Sequence, residues 1–103
     1  MKDAPLTKAQ AKAQLNLCLD AGFVIYTRHF KEELASDGLT TEDVLAVCRS
    51  GAVLMPPEKD IRTGDWKYRI EGYTADHEKV ALIFALRPER EAVFITAFKR
   101  SHG

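Results

Sequence analysis

Only two cysteines and three histidines occur in 103 residues, and neither set is clustered. Cys18 and Cys48 stand far apart among apolar residues. That spacing fits neither a zinc site nor a disulfide scaffold, so both are read as reduced core thiols. The histidines are His29, His77 and His102, with no HxxxH and no CxxC in the chain, so neither a metal centre nor a cofactor is expected. No apolar run reaches the ~18 residues that a membrane-spanning helix needs. No signal peptide opens the sequence, so the expected location is the cytoplasm, with no membrane partner. An excess of one charge is also missing, because fifteen Lys and Arg balance fifteen Asp and Glu. The whole-molecule field of a dedicated nucleic-acid binder is thereby excluded, and any RNA contact has to come from a local patch. There is no internal repeat and no low-complexity segment. The length suits one domain, residues 1–103, of which residues 1 to 6 are expected to be loose.

What the chain does contain is concentrated first in residues 26 to 51, YTRHFKEELASDGLTTEDVLAVCRSG. Thr27 can cap a helix that Gly38 ends in a left-handed conformation. On that helix Phe30 and Leu34 form an apolar stripe, and His29 and Glu33, also four apart, stack on the neighbouring face. Thr40 or Thr41 caps the next helix, with Glu42 and Asp43 in its first turn, a stripe of Val44, Val47 and Cys48, and Gly51 at its end. Upstream, Thr7 and Gln10 are a capping-box pair opening a helix to about Asp20, with Ala11, Leu15, Cys18 and Leu19 on one face. FVIYT at 23 to 27 reads as a strand or an extended linker.

Downstream the hydrophobic period changes from 3.6 to 2. Ala52 to Met55 forms a short strand that Pro56 and Pro57 stop, and a polar loop follows. From Asp65, Trp66, Tyr68 and Ile70 point one way while Lys67, Arg69 and Glu71 point the other, toward water. Val80 to Leu86 is apolar throughout, as a central strand covered on both faces would be. In the last strand Val93, Ile95 and Ala97 alternate with Phe94, Thr96 and Phe98, before a basic end of Lys99, Arg100 and His102. The fold class is therefore α+β, with N-terminal helices packed on a C-terminal antiparallel sheet whose strands 65 to 73, 80 to 86 and 91 to 98 are adjacent in that order. A wholly apolar central strand also implies that one helix or a partner subunit covers part of the second face.

The stretch YTRHFKEELASDGLTTEDVLAVCRSG, followed by YRIEG at 68 to 72, VALIFAL and VFITAF, resembles the DUF4258 family of small bacterial proteins of unknown function. The resemblance runs from about residue 24 to residue 98. That family is itself similar to the RelE, BrnT and barnase-like group of toxin ribonuclease folds, which cleave RNA without metal. The resemblance implies a helix-then-sheet fold, an RNA-cleaving ancestry of the toxin-antitoxin type, and RNA or a protein such as an antitoxin or a second subunit as partner. It places the family's helix histidine on His29, its tyrosine-arginine pair on Tyr68 and Arg69, and its terminal threonine on Thr96. Two positions differ from the family's pattern: an arginine after the histidine is replaced by the acidic Glu32 and Glu33, and a terminal tyrosine by Phe98.

Metal-independent RNA cleavage needs a base for the 2′-hydroxyl proton, an acid for the leaving oxygen and cations for the phosphate. His29, Arg69 and Thr96 are the candidate catalytic residues, and Lys67, Lys99 and Arg100 the candidate nucleic-acid contacts. His29 and Arg69 are expected to share one shallow polar cleft. Each has a plainer reading. His29 can be a helix-start residue bonded to Glu33, Arg69 a member of a solvated cross-strand ion pair, and Thr96 an ordinary strand threonine between two packed phenylalanines. His77 and His102 are read as solvated. The alternative function is a non-catalytic interaction module of the same fold, binding a protein or RNA without cutting it.

Overall fold

Hydrogen bonds between near neighbours set the start of each helix in the computed structural model, which describes residues 4–100. Helix α1 (Lys8–Ala21) opens on a reciprocal box: the Gln10 N–H donates to Thr7 Oγ1 over 3.1 Å and the Thr7 N–H donates to Gln10 Oε1 over 2.9 Å. Strand β1 (Phe23–Tyr26) leads into α2 (Arg28–Asp37), capped by Thr27 and ended by Gly38 at φ 69°. Thr40 and Asp43 box the start of α3 (Thr41–Ser50). Gly51 does stand at the end of α3, but its backbone is extended at φ −80°, so a left-handed turn is not what requires glycine there. A Cβ on Gly51 would overlap the carbonyl oxygens of Val47 and Glu71, and one on Gly72 would come within 2.8 Å of the Gly51 Cα. Backbone therefore lies directly on backbone where α3 ends against the sheet.

After α3 come β2 (Ala52–Val53), β3 (Glu58–Lys59), β4 (Trp66–Tyr73), β5 (Lys79–Arg87) and β6 (Glu91–Lys99). The sheet runs β1-β6-β5-β4-β2, with β3 also paired to β4, so the antiparallel meander β4-β5-β6 occupies its middle as the periodicity predicts. FVIYT resolves as a strand. It pairs parallel to β6, from Phe23 opposite Glu91 to Tyr26 opposite Phe94, which makes the sheet mixed at this edge. The strand expected over Ala52 to Met55 is only two residues long, and Glu58 and Lys59 pair with β4 inside the loop read as merely polar. Residues 1 to 3 and His102 lie outside the described residues. The chain is already tied down at Leu6, whose N–H donates to Tyr68 Oη over 2.9 Å.

All three helices contribute to a single core on one face of the sheet. Ala11, Leu15 and Cys18 from α1, Phe30 and Leu34 from α2, and Val44, Val47 and Cys48 from α3 meet Tyr68, Ile70, Leu82, Phe84, Phe94 and Ala97. Phe30, Phe84 and Phe94 are fully buried, with Phe94 5.2 Å from Phe30 and 6.1 Å from Phe84 between ring centroids. Such tilted pairs add roughly 0.5–1.5 kcal/mol each beyond the area they bury. The second face of the sheet has no helix on it among the described residues, so of the two coverings expected from the apolar β5, a helix or a partner subunit, the helix is not found. Ala81, Ala85 and Val93 are nonetheless buried there, outside the core cluster. Two of the three are alanines, and the longer side chains standing opposite them in the ladder, Glu71 and Phe98 beside Ala81 and Lys67 beside Ala85, rise past them.

Strand β6 carries an irregularity that the strict alternation does not foresee. Ile83 pairs with Thr96 but its neighbour Phe84 pairs with Phe94, leaving Ile95 as an extra residue in a β-bulge. The bulge reverses the alternation. Phe94 points into the core, whereas Thr96 and Phe98 lie on the helix-free face, so Thr96 is not set between two phenylalanines.

Candidate functional site

Beyond Phe94, β6 has no strand on its outer side, and its free N–H groups need other partners. Helix α2 supplies them: Glu33 Oε1 accepts from the Ala97 N–H over 2.8 Å, and Asp37 Oδ2 from the Lys99 N–H over 3.4 Å. The other oxygen of Glu33 lies 3.2 Å from His29 Nε2. One carboxylate thus bridges the exposed imidazole of His29 to the backbone beside Thr96. The plain reading of His29 as a partner of Glu33 is correct as geometry, and the structure adds what holds Glu33 in place.

On the helix-free face the bulge helps to open a concavity of about 210 Å³ over the middle of β4, β5 and β6. Arg69, Thr96 and Lys67 line it together, with Glu58 at its β3 side and Ile83, Ile95, Met55 and Pro56 as its apolar walls. Of the six residues singled out from the sequence, these three come together. His29 is not among the lining residues, so the shared cleft with Arg69 is not formed. Lys99 is engaged elsewhere, its Nζ 3.1 Å from Glu78 Oε2. Arg100 is exposed at the far end of the strand, where its N–H donates to the Lys79 carbonyl over 2.8 Å.

Arg69 is the most constrained side chain in the concavity. Its Nη2 lies 2.8 Å from Glu71 Oε2 on the same strand face, and its guanidinium carbon sits 5.1 Å from the centre of the Phe98 ring. Glu71 also reaches Lys79, at 3.8 Å. The charge of Glu71 is therefore shared, and the ring holds the guanidinium plane over the sheet. Arg69 Nε is buried and has no hydrogen-bond partner. The face read as a solvated stripe is in fact a half-buried lattice of charges: the Arg69 and Glu71 side chains are only 23% and 11% exposed. Lys67 stands opposite Glu58 in the ladder, yet its Nζ lies 4.0 Å from Asp60, whose carboxyl is held below its ordinary value chiefly by the Arg62 backbone N–H. No hydrogen bond or ion pair joins the Glu58 carboxylate to another described residue.

Sequence reasoning missed Glu58, because nothing in a polar loop announces that two of its residues will pair with β4. It also missed Phe98 as the ring beneath Arg69, a consequence of the bulge. The cysteines lie away from this face, in the core, and burial pushes the Cys48 thiol up to about 12, which leaves it inert. Among the described residues no three His, Cys, Asp or Glu side chains are grouped to hold a metal ion, and no helix is long and apolar enough to cross a membrane. A second concavity, of about 320 Å³ between Leu6, Trp66 and Leu86, carries Arg87 already paired with Asp65 at 3.4 Å.

A family model described as a domain of unknown function, DUF4258, matches residues 26–99. No curated protein matches the chain.

Proposed function

The chain belongs to the DUF4258 family, which carries no assigned activity, and from the site itself we propose that it binds single-stranded RNA by holding a phosphate on the helix-free face of its sheet. The observation that carries this reading is the grouping of Arg69, a hydroxyl and an ammonium around one concavity, with Arg69 Nε a buried donor that has no partner. An unsatisfied buried donor costs roughly 1–3 kcal/mol, and a phosphate oxygen is an acceptor that removes that cost. Thr96 adds a neutral donor and Lys67 a mobile charge. The balanced composition fits contact with few phosphates rather than a long basic groove. For one or two neutralised phosphates on a single strand, the logarithm of affinity falls against the logarithm of salt with a slope of only about −0.7 to −1.4.

Metal-independent cleavage is the second reading, favoured by the His29–Glu33 pair at 3.2 Å. In this reading Glu33 fixes the imidazole beside the strand that carries Thr96. His29 takes the 2′-hydroxyl proton or protonates the leaving 5′-oxygen at the edge of β6, apart from the concavity of Arg69 and Lys67, giving a 2′,3′-cyclic phosphate end. The test uses purified protein, labelled single-stranded RNA and a chelator, with binding followed by anisotropy and product ends analysed separately. Arg69→Ala should weaken binding about tenfold or more. Equal binding by wild type and this variant, or none by either, defeats the proposal. His29→Ala should leave binding intact and slow any cleavage about 10²-fold. If wild type yields no cyclic phosphate, binding without cleavage stands alone. Growth arrest on expression, relieved by Arg69→Ala, would be the cellular counterpart expected of a toxin with a protein antitoxin as partner.

A further inference from the structure

The two edges of the sheet are built differently. Outside β4 lie only the two-residue pairings β2 and β3, with Pro56 and Pro57 between them, and β3 is itself the charged pair Glu58 and Lys59. Short strands, prolines and charges are the features that keep a sheet edge from pairing with another chain. The opposite edge, β1, has none of the last two and is flanked by no covering strand. From Ala21 to Thr27 the chain carries no charge and no proline, and Phe23 and Ile25 are 68% and 40% exposed. Ile25 lies opposite Val93 on the helix-free face, and Phe23, two residues away, shares that face.

The backbone of β1 decides what can pair with it. The Phe23 and Thr27 N–H groups donate inward, to the Arg90 and Phe94 carbonyls over 2.8 and 3.1 Å. By alternation the N–H and C=O groups of Val24 and Tyr26 face outward, where no strand lies among the described residues. Water satisfies them in a single chain. We propose that β1 is a self-pairing edge, to which a second copy of this chain adds its own β1 antiparallel, across a twofold axis that passes between the two Ile25 side chains. In this register Val24 of each copy stands opposite Tyr26 of the other, and all the outward groups join in four backbone hydrogen bonds. Neighbouring registers do worse. With Val24 on the axis, Tyr26 would face Gly22, whose N–H already donates to the Cys18 carbonyl, and with Tyr26 on the axis, Val24 would face Arg28 inside α2. A twofold axis sets a residue against its own copy, which for a charged residue is repulsive and for Ile25 is an apolar contact. A contact confined to two four-residue strands belongs to the small class below roughly 1,200 Å² of buried surface, so the dimer is reversible and depends on concentration. The proposal is independent of the RNA-binding reading, because β1 contributes nothing to the concavity.

The test is sedimentation velocity on the full chain from micromolar to millimolar concentration, with amide hydrogen exchange followed at both ends of the range. Wild type should pass from monomer to dimer, and the Val24 and Tyr26 amides should exchange about threefold or more slowly where the dimer dominates. Ile25→Lys and Ile25→Glu each bring like charges together on the axis, where the two Cα atoms would be about 4.5 Å apart, so each variant alone should stay monomeric. Both should keep the wild-type circular-dichroism spectrum, since Ile25 lies outside the core cluster. An equimolar mixture of the two variants should dimerise again, because a lysine then meets a glutamate. A wild type that stays monomeric throughout, or single variants that dimerise as well as wild type, overturns the proposal. A mixture that remains monomeric while wild type dimerises also overturns it, since the two copies then meet through another surface.

Discussion

On the helix-covered face of the sheet, Tyr68, Ile70, Leu82, Phe84 and Phe94 meet apolar stripes from three helices. On the opposite face the same three strands present Lys67, Arg69, Glu71, Ile83, Thr96 and Phe98, with only Ala81, Ala85 and Val93 fully covered. The first face satisfies itself by packing, and its polar atoms are few. The second covers its small residues with the stems of charged side chains and leaves Arg69 Nε without a partner. A strand that is apolar at every position therefore does not require a layer on both sides. Small residues on one side, flanked by longer neighbours, are enough to hide it. The site follows from that arrangement, because charges held by neighbours rather than by water are already positioned for a ligand.

The contrast breaks most visibly in the core. Phe84→Ala should cost about 3–5 kcal/mol in a thermal or denaturant melt, since Phe84 is fully buried against Tyr68 and Phe94. A loss below about 1 kcal/mol would mean that the core is not centred on β5. Gly72→Ala, on the same face where β4 meets Gly51, should cost about 1–3 kcal/mol by forcing backbone apart, and a neutral result would show that this contact is loose.

A smaller effect comes from Cys48, whose thiol burial pushes up from 9.0 to about 12. The unfolded thiol loses its proton first as pH rises. The stability contributed by the neutral folded thiol is therefore complete below about pH 9 and is lost between pH 9 and 12. Melts across that window should show stability falling, and Cys48→Ala should flatten the slope. The smallest stability change is expected on the open face. Thr96→Val should alter stability by no more than about 0.5 kcal/mol, yet weaken RNA binding. If it destabilises as a core substitution does, the two faces are not as different as their packing indicates.

Much of the fold was legible because its signals are local. Thr7 with Gln10, Thr27 with the Phe30 N–H, and Thr40 with Asp43 act over three residues, so the helix starts could be read directly. The strands β4 to β6 followed from their period and from connections too short to allow another order. The candidate site was legible only in part. Arg69 and Lys67 were placed on one strand face by alternation, but their polar surroundings were expected to be water and are Glu71, Asp60 and the Phe98 ring. Thr96 was singled out by the resemblance, and the bulge removes it only from the face it was expected to share with Phe94. Glu58 was not found at all, since a two-residue pairing leaves no periodic trace.

The sequence by itself determined the order of elements, the caps, the central position of β5 and the family, because each depends on neighbours along the chain or on a pattern spanning many residues. Tertiary structure alone decided the rest. The bulge at Ile95 sends Phe94 inward and Phe98 outward, the parallel pairing of β1 leaves the end of β6 free, and that free edge recruits Glu33 and thereby fixes His29. The reason is that hydrogen-bond register between distant strands is settled by the whole sheet at once, and a one-residue slip exchanges the two faces.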